Sequence, residues 1–447
     1  MKRGTLAPSL ALSLTLGGCA TYAPLPLDRQ AADRPVDLTV VLREAAAVRR
    51  PYLTPVTIDL SQPLDGNAIA TLAVVNNPDL KAQRARAGVS TAQAFAARLL
   101  PDPTLTLGVS PVLSGPDQFL DLVAGLGLDL AQLRSRGVRV AQAEAQARQV
   151  RLDLAWAEWQ TAGQARIRAT RIQGLGRSAA LAQATLASAR SLFERTQRAV
   201  GRGDLGGDTA QAARTAFADA EDKARVATRD LGAARGELAA LLGLPIIAVQ
   251  LAPAPVTDLP LDPDRLVGLA LANRTDLQAL EAGYAAQEAA VRKAILDQFP
   301  TLALNVNANR DTAGNLIVGP TVDFTLPLWN RNRGGIAVER ATRAALKAEY
   351  EARLAQTRAE IAAAVSGIAV ARRQREAVLR DLPSARRFAL ASRRAADRGD
   401  LARSAAETAG QALRDRETTL AQAEQDIAEQ MIALELLTGT LREAWTR

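Results

Sequence analysis

Histidine is absent from this chain of 447 residues, cysteine occurs once and methionine twice, and Phe, Trp and Tyr together make up 3%. Zinc and copper sites are built mainly from imidazole and thiolate, so no ligand set of the usual kind can be assembled here. A lone cysteine also forms no internal disulfide. Carboxylates are plentiful, but none forms a recognisable catalytic pair, and the reading is that the protein is not an enzyme and needs no metal. After the N-terminus, no segment approaches the roughly 18 unbroken apolar residues of a membrane-spanning helix. Basic tails and aromatic stacking platforms are missing too. The formal charge of +8 and the pI near 10.2 therefore read as charge-mixed, solvated helix faces, with no nucleic-acid partner. Gly232 and Gly236 lack the preceding strand of a phosphate loop and read as points of close helix packing.

Alanine and arginine are abundant, as long helices require. Prolines at 24, 26, 35, 51, 55 and 63 mark residues 19–65 as an extended arm with little regular structure. A helix follows from Gly66 to Leu99, with a bend at Asn77-Pro78. Pro101 and Pro103 end it, and the apolar period changes from 3.6 to 2. Leu105, Leu107 and Val109 alternate with Thr104, Thr106, Gly108 and Ser110; a turn lies at Ser114-Gly-Pro-Asp117; then Leu120, Leu122, Ala124, Leu126 and Leu128 alternate with Asp121, Gly125, Gly127 and Asp129. Residues 104–130 are thus a β-hairpin. Residues 301–326 repeat the device, Leu302, Leu304, Val306, Val318, Val322 and Phe324 alternating with Asn305, Asn307, Gly319, Thr321 and Asp323. Strands of about ten residues, apolar on one face and polar on the other, match a transmembrane barrel segment with lipid outside and water inside, or a sandwich layer whose polar face meets solvent.

Each hairpin leads into a long proline-poor stretch. Ala131 to about Val200 makes one helix of roughly 100 Å at 1.5 Å per residue. Residues 201–207 break it, Asp208 or Thr209 caps a return helix to Leu242, and a proline-rich linker covers 245–263. A helix is expected over Asp264–Gln298. The second long helix runs from Asn330 to about Arg398, interrupted only at Pro383, with a turn at 399–401 and a return over Ala402–Leu437. The two courses superimpose. Arg136-Gly137 recurs as Arg333-Gly334 (333 − 136 = 197), and Gly203-Asp-Leu205 as Gly399-Asp-Leu401 (399 − 203 = 196). Residues 66–244 and 264–440 are therefore two copies of one unit, followed by a tail at 441–447.

The start of the chain has its own pattern: Lys2 and Arg3, an apolar stretch from Leu6 to Leu16, then Leu16-Gly-Gly-Cys19. This resembles a bacterial lipoprotein signal of residues 1–18, which implies a lipid on Cys19 and, with Ala20 after it, delivery to the outer membrane.

The whole organisation resembles the TolC-like outer-membrane efflux family. The residues that carry the likeness are Leu326-Pro-Leu-Trp-Asn-Arg-Asn-Arg-Gly-Gly335, Asn77-Pro-Asp-Leu80, Leu100-Pro-Asp-Pro103 and the two Gly-Asp-Leu turns. It implies a mainly α chain with a small β part. Three copies would form a trimer with an α-helical barrel and a 12-stranded transmembrane β-barrel, four strands per chain. It also implies an outer-membrane, lipid-anchored duct reaching into the periplasm, served by a periplasmic adaptor and an inner-membrane pump. The first and third motifs look most like the branch serving heavy-metal cation pumps, with drugs the other small cargo. By the same likeness the turns are the periplasmic entrance, and Gly203, Leu205, Gly399, Leu401 and Ser404 meet the adaptor. Gly207 and Asp208 stand where the family usually has Ser or Thr. Asp204 and Asp400 either form acidic rings that gate cations or cap the return helices. Two alternatives for the whole chain are a type I protein-secretion duct and a lipid-anchored structural coiled coil, the latter at odds with the hairpins and the lack of sustained heptads.

Overall fold

Two helices of unusual length dominate the computed structural model, which describes residues 22–30, 34–111, 113–114, 120–245, 250–253 and 258–445. Cys19 and the turn residues 115–117 lie outside them. Residues up to Asp37 form a unit of their own, in which Arg34 pairs with Asp28 at 2.7 Å. The rest of the chain is the second unit. Its order is α1 (Leu38–Ala47), α2 (Gly66–Asn76), α3 (Pro78–Arg98), β1 (Thr104–Ser110), β2 (Asp121–Asp129), α4 (Leu130–Gly201), α5 (Gly207–Leu242), α6 (Pro263–Asn273), α7 (Thr275–Leu296), β3 (Leu302–Arg310), β4 (Leu316–Phe324), α8 (Arg333–Arg398) and α9 (Arg403–Thr438). A single 3₁₀ turn, Arg442–Ala444, follows.

The 72 residues of α4 span about 108 Å and the 66 of α8 about 100 Å. Shorter helices lie beside them in two tiers. Towards the sheet the packing order is α3, α4, α7, α8; away from it the order is α5, α4, α9, α8. Each repeat thus contributes one full-length helix and two short ones set end to end. Where the short ones meet, Asn76 and Asn77 of the first repeat donate side-chain hydrogen bonds to the carbonyls of Leu242 and Leu241 at 2.8 Å. Gly243 and Gly439 close α5 and α9 in the left-handed region (φ 61° and 69°), where a Cβ would be strained. Small apolar clusters sit at this mid-level, one of α6 residues Leu266 and Val267 with Ile361, Ile368, Ile427 and Met431, the other of Leu53, Ala70, Val74 and Ala162.

The two repeats meet along α4 and α9. Arg166 pairs with Glu435 at 2.7 Å, Arg171 with Glu429 at 3.1 Å, Arg177 with Glu424 at 2.8 Å, and Thr185 accepts from Arg414 at 3.0 Å. Gly163 and Gly174 let this seam close: a Cβ on either would collide with Leu436 or Gln425.

Several expectations need correction. The arm over 19–65 contains α1, whose Val41 and Ala45 are buried; the stretch between Pro35 and Pro51 holds no proline and has apolar residues at helical spacing. The helix over Asp264–Gln298 is two helices, broken at Arg274 without Pro or Gly, because that side chain is buried against Asp276 (2.6 Å) and Trp156 and donates to the Leu437 carbonyl. Pro383 does not interrupt α8. It lies on the exposed side, four residues after exposed Leu379, whose carbonyl loses its helical partner where water can replace it. Gly232 and Gly236 pack against nothing; open space surrounds both Cβ positions.

Candidate functional site: a two-faced sheet and two helical tips

The four strands form one antiparallel sheet in chain order, β1-β2-β3-β4. Register fixes which side chains share a face. Leu105, Leu126, Val306 and Pro320 form one row, and Leu107, Ala124, Ala308 and Val318 another. On the opposite face, Thr104, Gly127, Asn305 and Thr321 are in line, and below them Asp129, Ala303 and Asp323. The pleat accounts for the segregation, since alternate residues point to opposite sides.

Among the described residues, none covers the apolar face. Leu105 is 70% exposed, Leu107 73%, Leu316 73% and Phe324 59%. Water would make such a face unfavourable; hydrocarbon would not. Leu326, Leu328 and Trp329 continue the exposed apolar surface past β4, where Arg331 and Asn332 hold positive φ in the loop that starts α8. β1 and β4 are both edge strands, each leaving one row of backbone groups without a sheet partner among the described residues. The flanking helices behave alike: Val338, Val370, Phe388 and Leu390 are exposed on α8, as are Val89 and Phe95 on α3.

At the far end, the tips are near copies. Gly203 (φ 80°) and Gly399 (φ 87°) make the reversals in the left-handed region. The amides of Asp204 and Asp400 donate to Ala199 and Ala395, both at 2.9 Å. Arg202 pairs with Asp204 at 2.8 Å and Arg398 with Asp400 at 2.9 Å. Neither aspartate caps a return helix. The cap positions are Gly206 and Ala402, with no side-chain cap bond, and Asp208 lies inside the first turn of α5. Gly203, Leu205, Gly399 and Ser404 are exposed and Leu401 is half-buried, so these five residues stand at the two tips, separated from the strands that precede them by the full lengths of α4 and α8.

Two buried carboxylates were not singled out from the sequence. Glu158 on α4 accepts from Arg50 and Arg84, at 2.5 and 2.7 Å. Burial works against its charge, but the hydrogen bonds from the two guanidinium groups outweigh it and hold the carboxyl below the usual glutamate range. Glu435 on α9 forms ion pairs with Arg166, at 2.7 Å, and with Arg442. Among the described residues no group of three or more acidic, His or Cys side chains is placed to hold a metal, and no helix is long and apolar enough to cross a membrane.

Comparison with known proteins gives a consistent picture. The family model described as outer membrane efflux protein matches residues 266–440. No curated protein sequence matches. Among solved structures, the CmeC outer membrane channel of Campylobacter jejuni superimposes with a TM-score of 0.72 at 14% identity, covering 84% of this chain and 85% of its own. The MtrE outer membrane channel of Neisseria gonorrhoeae, in its open state, gives 0.66 at 17%, covering 83% and 88%. CusC, studied for folding and transmembrane channel formation, gives 0.68 at 17%, covering 88% and 98%. At these identities the superpositions establish the shared fold, mainly helical with a small four-stranded sheet.

Proposed function

We propose that this chain belongs to the outer membrane efflux protein family, whose model matches its second repeat, and that three copies close into the outer-membrane duct of a tripartite efflux system. The observation that carries the proposal is the sheet: uncovered on its apolar face and open at both edges. Edge groups left unpaired in hydrocarbon cost several kcal/mol each, so four strands cannot cross a bilayer alone. The contact between repeats supplies the template for closure. Within the chain, β2 pairs with β3, and α4 packs on α7 and α9. Repeating that step from one copy to the next sets β4 beside β1, and α8 beside α3 and α5, each an edge with exposed apolar side chains. Such a head-to-tail contact closes a ring when the rotation returns to its start. Three copies give twelve strands, wide enough to hold water, where two would give eight and a barrel filled by its own side chains.

The long helices then continue the barrel as a tunnel through the periplasm. The lipid expected on Cys19 would anchor each copy to the membrane. At the tips, Gly203, Leu205, Gly399, Leu401 and Ser404 are the proposed contacts with the periplasmic adaptor, which links the duct to the inner-membrane pump. Asp204 and Asp400 ring the entrance, and Arg202 and Arg398 compete there with any entering cation. Transport through the duct is passive, and the cargo is small: heavy-metal cations or drugs chosen by the pump. The test is the mass of the purified protein in detergent together with its conductance in a planar bilayer. A trimer with stable, water-filled channels is expected. A water-soluble monomer without conductance would end the proposal.

A further inference from the structure

We infer that the rim where the sheet meets the long helices is a docking collar for anionic phospholipid headgroups. This rests on the channel reading above, which sets the apolar face of the sheet in hydrocarbon and the helices in the periplasm.

Charge differs between the two ends of the strands. At the helical end, residues 98–102, 129–140, 292–297 and 331–340 carry nine basic and four acidic side chains. At the other end, residues 111–121 and 310–316 carry one basic and three acidic. A leaflet of anionic headgroups on the helical side matches that asymmetry. Most acids of the helical end are already engaged: Asp297 pairs with Lys293 at 2.6 Å, Asp129 accepts from the Gln132 amide at 3.0 Å, and Glu339 accepts from Gln287. Arg292, Arg331, Arg333 and Arg340 are exposed, and among the described residues no ion pair engages their side chains.

Helical rows set these arginines on one side of the wall. A groove over α4 is bordered by Arg98 of α3, Arg148 of α4 and Ala285 of α7. Arg134 lies two seven-residue steps from Arg148 towards the sheet, and Arg292 one step from Ala285. Each step drifts by only about 20° around a helix. Continued away from the sheet, the row of Arg134 and Arg148 reaches Ala162, which packs with Ala70 and Val74 of α2. On α8 the row of Arg333 and Arg340 reaches Ile361 and Ile368, which pack with α6. Since α2 and α6 are the same element of the two repeats, both rows lie on the side those helices cover.

Apolar side chains complete the collar. Trp329 is 87% exposed, and Phe299, 51% exposed, lies under the Arg134 guanidinium at 5.7 Å. Asn332 donates to the Ala294 carbonyl at 2.8 Å and Arg134 to that of Leu296 at 3.1 Å, so the Trp329 loop and the Arg134–Phe299 pair are tied to one end of α7. Rings and guanidinium groups side by side suit the boundary between hydrocarbon and headgroup. Exposed Leu326 and Leu328 join this rim to the apolar face of the sheet. One occupant fits both parts: a lipid lays its chains on the strands and its anionic head among the arginines.

The experiment reconstitutes the full-length protein in dioleoylphosphatidylcholine bilayers and follows quenching of tryptophan fluorescence by brominated lipid. Trp159 and Trp445 are buried, so Trp329 should dominate the quenching and Trp329→Phe should remove most of it. Brominated phosphatidylglycerol should compete for the rim at least about threefold better than brominated phosphatidylcholine. The variant Arg292→Gln/Arg333→Gln/Arg340→Gln should bring that ratio close to one, and Arg292→Lys/Arg333→Lys/Arg340→Lys should keep it. The preference should weaken between about 0.05 M and 0.5 M salt. Conductance and oligomer mass establish that each protein spans the bilayer. A conducting wild type without the preference, a glutamine variant with an unchanged ratio, or quenching that persists in Trp329→Phe overturns the inference and leaves the channel reading intact. A wild type that neither conducts nor is quenched removes the channel reading, and this inference with it.

Discussion

The two repeats share a backbone course but fasten it with different chemistry. Where the short helices of the first repeat meet, neutral amides do the work: Asn76 and Asn77 reach the carbonyls at the end of α5, and Asn77 also accepts from the Leu80 amide at 2.9 Å as the cap of α3. In the second repeat the matching position is Arg274, 3% exposed, paired with Asp276, lying over the Trp156 ring at 4.8 Å and reaching the Leu437 carbonyl. The carboxylate clamps differ in the same sense. Glu435 and its two arginines are nearly enclosed, with arginine exposures of 15% and 20%. Glu158 sits under arginines that are 35% and 31% exposed. What survives duplication is the set of backbone carbonyls that must be satisfied. The side chains that satisfy them are free to change.

That contrast can be broken most forcefully at the clamps. Glu435→Gln leaves two enclosed guanidinium groups without a counter-charge and should destabilise the fold by about 3–5 kcal/mol; Glu158→Gln, with wetter partners, should cost about 2 kcal/mol. Denaturant melts of the detergent-solubilised protein would rank them, and equal losses would show that enclosure does not set the cost. The Glu158 clamp also predicts a pH dependence. Its folded carboxyl lies below the unfolded value of about 4.3, so its contribution is complete above that pH and is lost as pH falls through the folded value. The wild type should lose stability between pH 5 and pH 3, and Glu158→Gln should lose less over the same interval.

At the junctions, Arg274→Ala removes a buried charge partner, a ring contact and a carbonyl donor together, for about 3 kcal/mol, whereas Asn77→Ala removes a cap and one donor, for about 1–2 kcal/mol. If the asparagine proves the costlier loss, the charged solution is not the stronger one. Glycines sharpen the comparison further because they predict opposite signs. Gly163→Ala or Gly174→Ala drives a methyl into α9 and should destabilise by about 1–3 kcal/mol. Gly232→Ala or Gly236→Ala, in open space, should stabilise α5 by about 0.5–1 kcal/mol. The smallest effect is expected at the tips. Asp400→Ala should change single-channel conductance and cation block only modestly, because Arg398 already shares that carboxylate. A large change would give Asp400 a gating role that its arginine does not mask.

Much of the architecture was legible in the sequence because it is local. A period of two over Thr104–Val109 or Leu302–Asn309 specifies a two-faced strand, and a stretch without proline from Asp117 to Leu244 permits a helix of α4's length. Both tips were legible through paired Gly-Asp-Leu turns. The break at Arg274 was not, because nothing in Asn273-Arg-Thr275 stops a helix; burial against Trp156 does, and Trp156 is more than a hundred residues away. Gly232 and Gly163 look alike as letters, and only the neighbouring helix separates open space from collision. Asp204 and Asp400 were read as caps or rings because acid after glycine suits either, whereas the arginine two positions earlier takes the carboxylate. The clamps at Glu158 and Glu435 left no trace, since each draws at least one arginine from a distant segment of an arginine-rich chain.

The seam between α4 and α9 joins one repeat to the other, and so does the ladder between β2 and β3. Each half of the chain therefore presents the same left and right flanks as the whole. In the three-copy ring proposed above, a protein of half this length would carry everything needed to join, but six of them would have to find one another. Tandem fusion settles three of those six meetings during translation, and it frees each half to diverge. The amide junction and the guanidinium junction are the record of that divergence.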